Sequence, residues 1–299
     1  MDGIPPDLPN SSSGRRSAGR SMRNVLLGIT AGTTALVVGG VFYGGPRVGE
    51  LLDIRLGPGS VRPGESGGVR PAAEGRPAAP PPGLEEEDAP LGRPEPPPYA
   101  SSSYKFLATN DDGTPVGYSP CRPLHYVVNA DLVPAGAQDL IPEAIDTISH
   151  ATGIRFIYDG ATTELPSAQR APFQPDSYGD RWAPLLVSWT TPEVAPQLKG
   201  KVIGTGGSTH FSYDDGPKTF VTGSLELDAP QIAEELEQPD GGLYATAVIL
   251  HELGHVMGLE HVDDHRQLMY PEIGTPDGLA AGDLNGLYEL SGAQCRKDL

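Results

Sequence analysis

Cysteine is nearly missing from this chain: Cys121 and Cys295 are the only two in 299 residues. Their separation excludes a C-x-x-C metal or redox motif. In an oxidising compartment they could close one disulfide loop of about 174 residues, worth roughly 4–5 kcal/mol by loop entropy; two unrelated buried thiols are the alternative. Basic residues are scarce as well, 21 Lys and Arg against 39 Asp and Glu, for a formal net charge of −18. A surface of that sign repels phosphate backbones and argues against nucleic acid as a partner. No internal repeat is present.

Long uncharged runs are equally rare, with one exception. VLLGITAGTTALVVGGVFY, Val25 to Tyr43, carries no charge and follows Arg15, Arg16, Arg20 and Arg23. At about 1.5 Å rise per residue, a helix of that length nearly crosses a hydrocarbon core of about 30 Å. The preceding arginines keep the N-terminus cytoplasmic. A cleaved signal peptide competes with this reading, but no good A-x-A site follows Phe42 and Tyr43. The expectation is a cytoplasmic tail at 1–24 and a single-pass transmembrane signal anchor at 25–43, with the rest of the chain extracellular. Secretion after cleavage is the alternative.

Residues 44–103 are rich in Pro, Gly, Arg and Glu, as in RPAAPPPGLEEEDAPLGRPEPPPYASSS. Such a composition buries too little apolar surface to offset its ordering entropy. Its prolines favour an extended, semi-rigid stalk, so a disordered linker is expected there. From Tyr104 to Leu299 the pattern becomes globular. HYVVN reads as a strand, and QDLIPEAIDTISHATG as a helix with Leu140, Ile141, Ala144, Ile145 and Ile148 at helical spacing and Gly153 as its stop. GIRFIYDG, APLLVSW, KVIGTGGSTH and TFVTGSLELDA read as strands, the glycine-rich third of these suiting a sheet edge. DGGLYATAVILHELGHVMG, with Asp240 as its N-cap, and DGLAAGDLNGLYELSG read as helices. Strand, helix, four strands and two helices make an α+β domain at 104–299.

Histidine is sparse too, yet three of the chain's seven lie within HELGHVMGLEH, His251 to His261. On a helix, His251 and His255 project from one face and can share a metal ion. Glu252, displaced by about 100 degrees, can reach a metal-bound water without being a ligand. Gly258 can take the left-handed conformation that ends the helix, which brings His261 back as a third ligand. Three histidines leave one position for water, the open arrangement of a catalytic zinc.

H-E-x-x-H-x-x-G-x-x-H is the metzincin signature. Met269, in QLMYPEIG, resembles the Met-turn of that family, and HELGHVMGLEHVDDHRQLMYP is especially similar to the matrixin branch, the group of the matrix metalloproteinases. The resemblance implies a metzincin-like zinc protease fold, a twisted mixed sheet with three main helices. It implies one catalytic zinc held by His251, His255 and His261, with Glu252 as general base. Gly258, Met269, Tyr270 and Pro271 would shape the site, and Pro271 to Gly274 would wall the pocket beyond the cleaved bond. Asp283 would hydrogen-bond the Met-turn backbone. A peptide or protein substrate would pair with an edge strand at Val202, Ile203, Gly204, Thr205 and Gly206, where glycines permit close approach.

Two features depart from the family. No P-R-C-G-like motif precedes the domain, since Cys121 stands in SPCRPLHY, so latency by a cysteine switch is not expected. For the structural zinc or the calcium ions that matrixins hold, this chain offers only His210, Asp214, Asp215 and Asp228, for which a solvated acidic loop is the simpler reading. The expected function is a membrane-tethered extracellular zinc endopeptidase. Its alternative is a non-catalytic metal-binding adhesion or interaction module on the cell surface.

Overall fold

The computed structural model describes residues 54–56, 79–213, 216–273 and 278–299. The expected tail, the expected span at 25–43 and part of the expected linker lie outside the described residues. Among those described, no helix is long and apolar enough to cross a membrane. In chain order the elements are β1 (Ile54–Leu56), β2 (Lys105–Phe106), β3 (Leu124–Asn129), α1 (Leu140–Thr152), β4 (Phe156–Ala161), α2 (Pro175–Tyr178) and β5 (Leu185–Thr190). There follow β6 (Gly204–Tyr213), β7 (Thr219–Asp228), α3 (Ala229–Leu236), α4 (Gly241–Met257), β8 (Leu259–Glu260) and α5 (Ala281–Leu290).

Six strands form one mixed sheet in the order β1-β6-β7-β5-β3-β4, and β2 pairs with β8 in a separate ribbon. Within the large sheet only the β6–β7 pairing is antiparallel. β5 is buried at every residue, as an apolar run in the middle of a parallel array should be. Its Leu185, Val187 and Trp189 share one core with Ile141, Ile145 and Ile148 of α1 and Val248, Ile249 and Leu253 of α4. α1 stops at Gly153, which takes φ of 70° and donates its N–H to the Ser149 carbonyl.

The helices differ from expectation in two places. α3 follows β7 directly, over PQIAEEL, a stretch to which the sequence reading gave no element. Its start is written in the sequence: Asp228 accepts from the Gln231 N–H at 3.1 Å, with Pro230 in the first turn. Asp240 stands at the N-cap position of α4, where its carbonyl accepts from the Tyr244 N–H at 3.1 Å, but its side chain does not cap the helix. It sits at φ 63° with no side-chain bond to the helix. The turn between α3 and α4 is tight: a Cβ at Gly241 would lie 1.9 Å from the Glu235 carbonyl oxygen. Aspartate tolerates the left-handed conformation that this turn demands.

The packed structure also reaches further back than Tyr104. Residues 79–103, expected as part of the linker, run as a strap along the domain. Gly83 donates to the Leu299 carbonyl, Glu87 to Cys121, Leu91 to Pro120 and Glu95 to His150. Glu86 is buried and accepts from the Arg296 N–H at 2.6 Å and from the Ser119 hydroxyl. A Cβ at Gly92 would meet the Gly153 carbonyl oxygen at 2.3 Å, so strap and helix end touch backbone to backbone. Composition hid this because the strap is held by main-chain hydrogen bonds and one buried carboxylate rather than by apolar side chains. Its prolines lose little conformational freedom on docking. Cys121 and Cys295 are bonded to each other beside Glu86, with Cα atoms 5.3 Å apart.

Candidate metal centre

α4 carries the first two histidines through the middle of the molecule. It is apolar on nearly every side because it packs on β6, β7, α1, α3 and α5 at once. Two glycines make that approach possible. A Cβ at Gly204 would come within 2.8 Å of Glu252 Cγ, and one at Gly206 within 2.1 Å of the Glu252 carbonyl oxygen. The glycines of β6 thus admit the helix, and not only a substrate as the sequence had implied. Ser208 fastens the contact by donating to the Val256 carbonyl at 2.7 Å.

His251 and His255 are wholly or almost wholly buried, with ring centroids 4.8 Å apart. The Nδ1–H of His251 donates to the Leu268 carbonyl at 2.7 Å, and that of His255 to the Leu259 carbonyl at 2.8 Å. A carbonyl can only accept, so both protons sit on Nδ1 and both Nε2 lone pairs are bare. At Gly258 the helix ends with φ of 118°, and a Cβ there would crowd the Phe220 ring at 3.0 Å and the Val116 carbonyl at 3.1 Å. Three residues later His261 returns its Nε2 to 3.1 Å from both His251 Nε2 and His255 Nε2.

Three nitrogens thus converge with at most one proton among them, a set of lone pairs that one cation can join. Tetrahedral zinc with Zn–N bonds of about 2.0–2.1 Å separates its nitrogens by about 3.3 Å, close to the 3.1 Å found. The donor set therefore fits zinc. Burial, and then the charge each ring would place on the next, hold the His251 imidazole well below its usual range and bring His255 down to about 3. Both stay neutral and ready to ligate.

Glu252 is completely buried, and neither carboxyl oxygen has a hydrogen-bond partner among the described residues. Burial raises it to about 8, with help from the Glu226 carboxylate and against a pull from the Gly206 N–H. Such a carboxyl can hold or release a proton near neutrality.

The chain beyond His261 is folded back under the helix. Val262 donates its N–H to the Met269 carbonyl at 3.0 Å. Met269 is buried, and a Cβ at Gly254 would lie 2.6 Å from its Sδ, which places the thioether against α4 between the two histidine turns. Asp283 accepts from the N–H groups of Leu268 at 2.8 Å, Met269 at 3.1 Å and Ala280 at 2.8 Å. Tyr270 and Pro271 follow, half-buried; Gly274 lies outside the described residues.

Of the residues expected to bind substrate, Ile203 is buried and its carbonyl accepts from the Asp228 N–H. The Val202 carbonyl accepts from Gln231 Nε2. Thr205 turns to the opposite face from Gly204 and Gly206 and donates to Glu226 at 2.6 Å. For a second metal, Asp228 is committed to capping α3, and Asp214 and Asp215 lie outside the described residues. Among the described residues, metal-capable side chains cluster at the three histidines and at Glu86 with the two bonded cysteines.

Sequence reasoning missed Glu226 and the two carbonyls that aim the histidines. A glutamate inside the apolar strand TFVTGSLELDA was a signal for the first. Backbone carbonyls leave none.

The matrixin family model matches residues 194–292. Matrilysin of Felis catus is 34% identical over 100 residues, covering 31% of this chain and 36% of its own. Macrophage metalloelastase of Oryctolagus cuniculus is 31% identical over 97 residues, 31% of this chain and 20% of its own. Matrix metalloproteinase-15 of Homo sapiens is 32% identical over 93 residues, 30% of this chain and 14% of its own. This chain therefore spans about a third or less of these relatives. The match takes in every residue from β6 to α5 that builds the histidine centre, and over residues 194–292 the chain is similar to the matrixins.

Proposed function

We propose that this chain is a zinc-dependent endopeptidase, tethered by residues 25–43 with its domain outside the cell. The convergence of three Nε2 atoms, two with Nδ1 locked to carbonyls, carries the reading. His251, His255 and His261 would hold the metal. Zinc there would acidify a bound water to a pKa of about 7 and polarise the scissile carbonyl.

Glu252 takes the proton from the attacking water and passes it to the nitrogen of the departing amine. Its burial suits both halves of that transfer at neutral pH. The β6 backbone from Gly204 to Gly207 is the proposed rail for an extended substrate, Gly207 having open space where a side chain would be. Met269 and Asp283 hold the floor of the site and take no part in proton transfer.

Two measurements test this. Purified full-length chain should contain one zinc per molecule and cleave a quenched peptide only in the absence of chelator. Glu252→Ala should retain the zinc and lose at least about a hundredfold in kcat, in keeping with the roughly 10²–10⁴ that a positioned base supplies. A zinc-loaded wild type with no peptidase activity would favour the binding-module alternative. For the tether, Val25–Tyr43 should hold the chain in the membrane fraction after alkaline extraction; a mature N-terminus beyond Tyr43 would reject it.

A further inference from the structure

β8 is only two residues long, yet it separates the helix break at Gly258 from His261, and its Leu259 carbonyl orients His255. Two residues of strand do not hold themselves. Their partner is β2, which pairs antiparallel with Lys105 opposite Glu260 and Phe106 opposite Leu259. Leu107 donates its N–H to the Gly258 carbonyl at 2.9 Å.

Register decides the rest. Antiparallel residue pairs alternate between those that exchange hydrogen bonds and those that turn their polar groups away. Since Leu107 and Gly258 are bonded, Phe106 and Leu259 form the unbonded pair. The Leu259 carbonyl must then point away from β2, and on that side His255 Nδ1 receives it at 2.8 Å.

β2 is itself clasped to α5. A Cβ at Gly282 would meet the Ser103 carbonyl at 2.2 Å, and one at Gly286 would meet Tyr104 Cβ at 2.9 Å. Asn285 donates to the Tyr99 carbonyl at 2.7 Å. α5 also carries Asp283, which holds Leu268, whose carbonyl aims His251. One helix therefore backs all three ligands, by Asp283 for one and by the 99–107 segment for the other two.

We propose that Tyr99–Leu107 is a positioning element of the metal centre: its backbone pairing with β8 aims His255 and places His261, and so sets metal affinity. The inference rests on the zinc reading above, and the test separates the two. Leu107 is suited to it because its side chain is 42% exposed while its N–H is engaged. Leu107→Ala keeps the hydrogen bond; Leu107→Pro removes it.

Zinc affinity of full-length chain is measured by competition with a chromophoric chelator, and the site is also read from the visible absorption of its cobalt-substituted form. Leu107→Pro should bind zinc at least tenfold more weakly, the usual loss when the support of a ligand is removed, and should shift the cobalt bands. Leu107→Ala should match wild type in both. A folded Leu107→Pro chain with wild-type affinity and spectrum overturns the proposal. If that variant does not fold, Asn285→Ala loosens the clasp from its exposed end and should weaken zinc two- to fivefold; unchanged affinity there overturns the proposal instead. Wild type that binds no zinc sinks the zinc reading and this inference together, whereas zinc-binding wild type whose affinity Leu107→Pro leaves unmoved sinks this inference alone.

Discussion

Asp283 offers the most direct test of how the floor of the site is held. It is 1% exposed and its two oxygens accept from three backbone N–H groups, those of Leu268, Met269 and Ala280. Asp283→Ala strands all three. A buried donor without a partner costs about 1–3 kcal/mol. Water entering the space left by the carboxylate can serve one of them, so the net loss is roughly 3–5 kcal/mol. For a domain of this size each kcal/mol moves the melting midpoint by about 2–4 °C, giving a fall of about 10 °C. Differential scanning calorimetry of full-length chain in excess chelator isolates this backbone effect. Repeating it with zinc should widen the gap, because the freed Leu268 carbonyl no longer aims His251. A tenfold loss of metal affinity removes about 1.4 kcal/mol of zinc stabilisation at fixed metal. An Asp283→Ala chain that melts within about 3 °C of the parent in chelator would refute the account of the loop.

Two further outcomes follow from the same geometry. Gly258→Ala should lose roughly 2–4 kcal/mol, from the left-handed φ and from crowding against Phe220 and the Val116 carbonyl, read by urea unfolding of the metal-free chain. His125 should make the strap pH-dependent. The hydrogen bond it donates to Glu85, against a burial penalty and then with Asp159, raises its pKa above the usual value, Arg181 opposing. A raised folded value means this contribution is complete below about pH 6.5 and fades as pH rises through the folded pKa. Protection of the Glu87 and Leu91 amides, taken relative to their intrinsic exchange rate at each pH, should fall across that window, and His125→Gln should remove that fall.

Much of the centre was legible because its chemistry lies in side chains at fixed spacing. His251, His255, Gly258 and His261 occupy the places their intervals require, since one helix and one turn link them. The strands HYVVN and APLLVSW were readable for the same local reason. The role of the β6 glycines was not, because it depends on how closely α4 lies over them, which only the tertiary structure sets. Asp240 was rightly placed at the start of α4, but its left-handed backbone there, which spacing does not reveal, leaves its side chain without a capping bond. The strap at 79–103 was hidden by its proline content, and the support that β2 gives to β8 by its being carried on backbone alone.

The hydrogen bond from Gly83 to Leu299 has a topological consequence. It brings the strap against the segment that follows α5, so two stretches far apart in sequence brace each other.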